Sequence, residues 1–162
     1  MFSGISARSG LCNNLPAGNY LLHLENVITF KKTKTFDLWE NYVGESVFGI
    51  SAVFASLKTM SEIYEIVKDT YKENRLKVEQ INKEIQKINP LLVDVKEWIH
   101  MNMYSNEKQA YVNDVENPKI DISALSLVTP FNIFTVNEKK MINTYMAIEM
   151  NLRTYTGRIF KI

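Results

Sequence analysis

The longest regular pattern in the chain is a run of mostly apolar positions at alternating spacings of four and three: Met60, Tyr64, Val67, Tyr71, Asn74, Val78, Ile81, Ile85 and Ile88. A repeat of 3.5 residues keeps one stripe of a helix turned toward a partner helix, and a lone polar member such as Asn74 commonly fixes register. The pattern predicts one helix over 57–88, N-capped by Ser56 and about 48 Å long. Asn89-Pro90 closes it, because the residue before proline is pushed out of the helical region. Pro90 then opens a second helix, with a stripe of Leu92, Val95, Ile99 and Met103 widened by Leu91 and Trp98. That arm is only about 20 Å long, so more than half of the seam lacks a partner inside the hairpin. An unpartnered apolar stripe of this kind marks an interface.

Outside the hairpin the period drops to two. Residues 20–30, 36–42 and 47–54 are rich in aromatic and β-branched side chains and lie between turn signals, so they read as three strands of a meander. Residues 104–119 read as a polar loop, and β-type composition returns over 120–134. Met146, Ile148, Met150 and Leu152 alternate like a strand, although Met141, Tyr145, Ile148 and Leu152 also fit a helix; strand is the favoured reading. Residues 154–158 read as a hairpin turn. The expected class is α+β: an irregular arm at 1–18, a small antiparallel sheet or OB-like barrel from 19–56 and 120–162, and a coiled-coil-like helical hairpin at 57–103 inserted between strands.

Composition narrows the class without naming a function. The 162 residues are 46% hydrophobic and 23% charged, which excludes a disordered or collagen-like chain. No apolar run approaches the roughly 18 residues of a membrane span. Cys12 is the sole thiol and cannot close an internal disulfide, so a reducing intracellular compartment or the inside of a viral particle is expected. The first 18 residues carry Arg8 and no acid, but they lack the stripe of a transit peptide and the apolar core of a secretory signal. Formal charge is +1, unevenly spread: residues 57–103 balance eight bases against eight acids, while 139–162 carry five bases and one acid.

Enzyme signatures are sparse. There is no Cys-x-x-Cys, His-x-x-x-His, Gly-rich phosphate loop or G-x-S-x-G. Glu97 and His100 stand one turn apart as in di-iron bundles, but no second Glu-x-x-His completes such a site, so no metal and no cofactor are expected. Cys12 and His23 are the remaining thiol and imidazole, with only Arg8 to lower the thiol's pKa. Two clusters interleave bases with aromatics: Lys31, Lys32, Lys34, Phe36 and Trp39, and then Arg153, Tyr155 and Arg158. Single-stranded nucleic acid is held by such mixtures, with cations on phosphates and rings on bases. A hairpin with core aromatics and solvated lysines has the same composition.

The stretch Leu15-Pro-Ala-Gly-Asn-Tyr-Leu-Leu-His-Leu-Glu-Asn-Val27, with the lysine-rich break over 31–34 and the closing Thr154-Tyr-Thr-Gly-Arg-Ile-Phe160, resembles small phage single-stranded-DNA-binding proteins. That resemblance implies an OB-type barrel with a helix between its third and fourth strands, and Lys31, Lys32, Lys34 and Trp39 on DNA.

Three functions follow as expectations, none enzymatic. The first is an oligomeric assembly subunit, homo-oligomeric or part of a larger particle, with the heptad residues as its interface. The second is a single-strand-binding module. The third is a small inhibitor or adaptor that docks its helical hairpin on a larger protein.

Overall fold

The structure, a computed structural model of the chain, describes residues 34–36, 38 and 43–153. Two short strands, β1 (Thr35–Phe36) and β2 (Val43–Gly44), pair antiparallel with Thr35 opposite Gly44. Helices α1 (Val47–Thr70) and α2 (Arg75–Asn102) follow as a hairpin. A second two-stranded ribbon, β3 (Tyr104–Ser105) with β4 (Ala110–Tyr111), leads to a 3-10 helix (Ile122–Leu127) and to α3 (Lys139–Leu152). The fold is α+β, and the described residues contain no OB-like barrel and no coiled coil. No described helix is long and apolar enough to cross a membrane. The expected arm at 1–18, the strand at 20–30 and the turn at 154–158 lie outside the described residues.

The first correction concerns 47–54, expected as a strand and found as the start of α1. Ser46, not Ser56, is the N-cap: its Oγ accepts the Gly49 N–H at 3.0 Å. Ser56 lies inside the helix and donates its hydroxyl to the Ala52 carbonyl at 2.8 Å. The contiguous apolar run hid a helical stripe. Val47, Ile50, Phe54 and Leu57, at spacings of three, four and three, are the buried face of α1.

The second correction concerns the seam itself. It is not one long helix. The chain turns at 71–74, where Asn74 Oδ1 accepts the Lys77 N–H at 3.2 Å and caps α2. The lone polar member of the heptad run is therefore a helix start. The two halves of the seam sit on opposite arms: Ile81, Ile85 and Ile88 are buried, while Met60 and Tyr64 pack half-buried on the core. Much of the stripe expected to be bare is covered by the chain itself. Nor does Pro90 end a helix, for α2 runs through it.

The core joins the three helices, the 3-10 helix and the second ribbon. Val47, Ile50, Phe54 and Leu57 of α1 meet Ile88, Val95, Ile99 and Met103 of α2. Ala124 and Leu127 of the 3-10 helix, with Tyr111, Phe134 and Met141, close it from the other side. Residues 120–134, expected to be strand, are instead led by that 3-10 helix, whose Asp121 cap accepts the Ser123 N–H at 2.8 Å. The favoured strand at 141–152 is corrected to α3, since Met141, Thr144, Ile148 and Leu152 form one buried helical stripe. Thr144 ties α3 to β4 by accepting the Tyr111 N–H at 2.9 Å, and donates its own proton to the Lys140 carbonyl at 2.7 Å. The supposed polar loop at 104–119 hides the buried run Ala110 to Asp114.

Asp114 fixes the entry to α1. It is almost fully buried, and its Oδ1 accepts the N–H groups of Glu116 at 2.8 Å and Asn117 at 3.1 Å. Its Oδ2 has no hydrogen-bond partner among the described residues and lies against Gly44, where an added Cβ would sit 2.8 Å from Asp114 Cγ and overlap Oδ2. Gly44→Ala is therefore expected to destabilise the fold by about 1–3 kcal/mol in urea unfolding. Asp114→Ala in the same chain should remove most of that added loss, because it removes the obstructing carboxylate. Equal losses from Gly44→Ala with and without Asp114 would show that the carboxylate is not the obstacle.

Candidate functional site

Two open cavities differ in chemistry. The larger, about 920 Å³, runs along α1 past Ala52, Ala55, Met60, Ile63, Tyr64 and Val67 to Phe131. It has no acidic, basic or histidine side chain in its wall. The smaller, about 540 Å³, is bounded by Lys96, Glu97, His100, Phe134 and Glu138, with Val93 and Met101 on its rim. Size favours the first, but reaction chemistry needs groups that move protons or hold charge, and these converge on the second.

Helical geometry assembles half of this cleft. Val93, Lys96, Glu97, His100 and Met101 recur at i, i+3, i+4, i+7 and i+8, which is one face of α2; Val95 and Ile99 turn the opposite way into the core. The other half comes from the segment before α3. Phe134 is anchored by its N–H on the Leu127 carbonyl at 3.0 Å. Glu138 precedes the first turn of α3, and its Oε1 accepts the Thr135 N–H at 2.9 Å. Glu97 has no hydrogen bond or ion pair among the described residues.

Behind the cleft is an aromatic wall. Phe134 stacks on Tyr111 at 5.2 Å between centroids and 22° between planes, and Tyr104 meets Tyr111 edge-on at 5.1 Å. His100 joins wall to helix. Its Nε2 lies 3.0 Å from Lys140 Nζ, and its Nδ1 lies 3.0 Å from Tyr111 Oη. An ammonium has only protons to give, so Nε2 accepts, the ring proton is assigned to Nδ1, and Nδ1 donates to Tyr111 Oη. Lys140 Nζ also sits 4.2 Å above the Tyr104 ring, and Lys96 Nζ 5.1 Å above Phe134.

Burial pushes the Tyr111 hydroxyl well above the usual tyrosine range, helped by the negative charge of Glu138 and by Tyr104. A raised tyrosine stays protonated in the folded chain after it would ionise in the unfolded one. Its contribution to stability is complete below the ordinary value of about 10 and declines as pH rises above it. Alkaline unfolding should therefore steepen above about pH 10, and Tyr111→Phe should flatten that limb. An identical alkaline limb in the variant would count against this assignment.

The residues singled out from sequence are scattered. Met60, Tyr64 and Val67 line the apolar cavity, Ile81, Ile85 and Ile88 are buried in the chain's own core, and Val78 is half-buried. Tyr71 and Asn74 are at the exposed turn between α1 and α2. Of the basic and aromatic clusters, Lys34 pairs with Glu116 at 2.7 Å, and that contact raises its pKa. Arg153 pairs with Glu149. Phe36 is in β1; Lys31, Lys32, Trp39, Tyr155 and Arg158 lie outside the described residues, as do Cys12 and His23. Glu97 and His100 do share a cavity, though no group of three or more potential metal ligands occurs among the described residues. Phe134, Glu138, Tyr111 and Lys140 were missed. Reading 120–134 and 141–152 as strands removed the cap position and the helix start that bring them together.

Over 146 residues, 88% of the chain, the sequence is 30% identical to a protein of Methanocaldococcus jannaschii named as an uncharacterized glycosyl hydrolase. The match covers 21% of that protein, so the chain spans about a fifth of the length of the curated relative it matches. No family model and no solved structure matches. Likeness to a protein that bears an enzyme's name overturns the non-enzymatic expectation, and with it the assembly-subunit, single-strand-binding and adaptor readings.

Proposed function

We infer that the chain takes part in cleaving glycosidic bonds, and that the cleft between α2 and the start of α3 is where it meets the sugar. Most enzymes that break such a bond use two carboxyl groups, one to protonate the leaving oxygen and one to activate water or attack the sugar. Glu97 and Glu138 come from separate elements and line one cavity. Phe134, buried and stacked on Tyr111, gives the cavity an apolar back wall. The observation that carries the reading is this pair of carboxylates on one aromatic-backed cavity, in a chain similar to a protein named as a glycosyl hydrolase.

The test is reducing-sugar release from a panel of neutral oligosaccharides, run with the parent chain, Glu97→Gln and Glu138→Gln. Each variant keeps the side chain's shape and removes its titration. Turnover lost in both variants, with binding of the oligosaccharide retained, supports the reading. Turnover unchanged in both, or neither turnover nor binding by the parent chain, overturns it.

A further inference from the structure

Two of the helices are apolar on a second side. α3 buries Met141, Thr144, Ile148 and Leu152, yet on the other side it exposes Ile142, Tyr145, Met146 and Met150. The charges bordering that outer face are satisfied within the helix: Glu149 pairs with Arg153 and accepts the Tyr145 hydroxyl at 3.0 Å. α1 repeats the arrangement. Its buried stripe from Val47 to Leu57 faces the core, and Ala52, Ser56, Thr59 and Ile63 turn away from it into the open cavity of about 920 Å³, whose wall holds no charged side chain. A helix whose outer side meets water carries charges there, as α2 does with the pairs Glu79–Lys83 and Glu84–Lys87. A helix apolar on two sides lies between two layers of a larger core.

Length indicates what forms the second layer. The likeness to the Methanocaldococcus jannaschii protein runs over 88% of this chain but only 21% of that one, so about four-fifths of the relative has no counterpart here. A unit matched almost throughout, inside a chain so much longer, has neighbours to pack against. We propose that the α1 cavity and the outer face of α3 are docking surfaces for a polypeptide equivalent to the part of the relative that this chain does not match. The partner presents uncharged apolar side chains to both faces, and the two polypeptides close one core. This is not the adaptor reading in another form. The second half of the heptad seam, Ile81, Ile85 and Ile88, is already buried in the chain, and the docking faces lie on α1 and α3. The proposal rests on the two faces and the length of the relative, and it goes beyond the chemistry of the cleft.

The test refolds the full chain together with the unmatched part of the Methanocaldococcus jannaschii protein, produced as a separate polypeptide, and follows the mixture by sedimentation and calorimetric titration. A one-to-one complex is expected. Ile63→Lys and Met146→Lys, each at a position about half exposed in the chain alone, should leave its urea midpoint unchanged and weaken the complex at least about tenfold. Four results overturn the proposal. The added polypeptide may fold and ignore the chain, or stay aggregated in its presence. Both variants may bind as well as the parent. Both may lose their own urea midpoint, which would assign the two positions to the chain's own core. Last, the chain may self-associate through the same two positions, which would make a second copy the occupant. Neither position lines the cleft, so the oligosaccharide assay with Glu97→Gln and Glu138→Gln judges the glycoside-cleaving reading separately.

Discussion

Glu138→Gln is expected to lower oligosaccharide turnover by about 10²–10⁴-fold while changing substrate affinity little. The amide keeps an oxygen that can accept the Thr135 N–H, so the loop before α3 keeps its anchor. What disappears is the ability to give or take a proton. Glu97→Gln should have an effect of similar size, because acid and base work in series on one bond. The two variants differ in pH dependence. A pair of carboxyl groups with opposite roles gives a bell-shaped profile, and each substitution should remove a different limb. The variant that loses its alkaline limb marks the proton donor, and the one that loses its acidic limb marks the base. Loss of the same limb in both would place the two residues in one role and refute the pairing.

Pro90→Ala is expected to stabilise the chain by up to about 3 kcal/mol, read as a higher urea midpoint with an unchanged slope. Pro90 is exposed inside α2, where it cannot donate to the Gln86 carbonyl and its ring crowds that same group. No side-chain burial is lost on truncation, so the gain is not offset by a cavity. Tertiary packing makes the helix continue past the break. Ile88 and Val95, on either side of Pro90, are both buried against the core, and ending the helix at residue 89 would turn one of them away. Burying an isoleucine or valine is worth about 1.5–3 kcal/mol, and losing Val95 would take Ile99 on the same stripe with it, so the two outweigh one proline. No change in midpoint would mean that α2 is already kinked enough at Pro90 to relieve the clash.

The same balance explains what could be read from the residues alone. The heptad spacing from Met60 to Ile88 correctly marked apolar positions, because three- and four-residue spacing is a property of any buried helical face. It could not say how many helices share the face. Four turn residues happen to preserve the phase of the repeat, so Asn74 has the same sequence signature as a register-fixing seam residue and as an N-cap. The 47–54 segment failed for a related reason. A short continuous apolar run has no period of its own, and Ser46 was passed over for Ser56.

The cleft was half legible. Glu97 and His100 could be placed on one helical face from their spacing, since that geometry is local. Phe134 and Glu138 come to the same cavity, and Lys140 to His100 beside it, from more than thirty residues away, through the packing of the 3-10 helix and α3 on the hairpin. No local pattern records that distance.

By itself the sequence determined the α+β class and the helical spacing of the apolar positions in the hairpin, because composition and periodicity are fixed residue by residue. Where the helices begin and turn, whether Pro90 interrupts or merely strains, and which acids meet across a cavity were decided by the tertiary structure. Each depends on burial shared among distant segments, which exceeds the local preferences that the sequence displays.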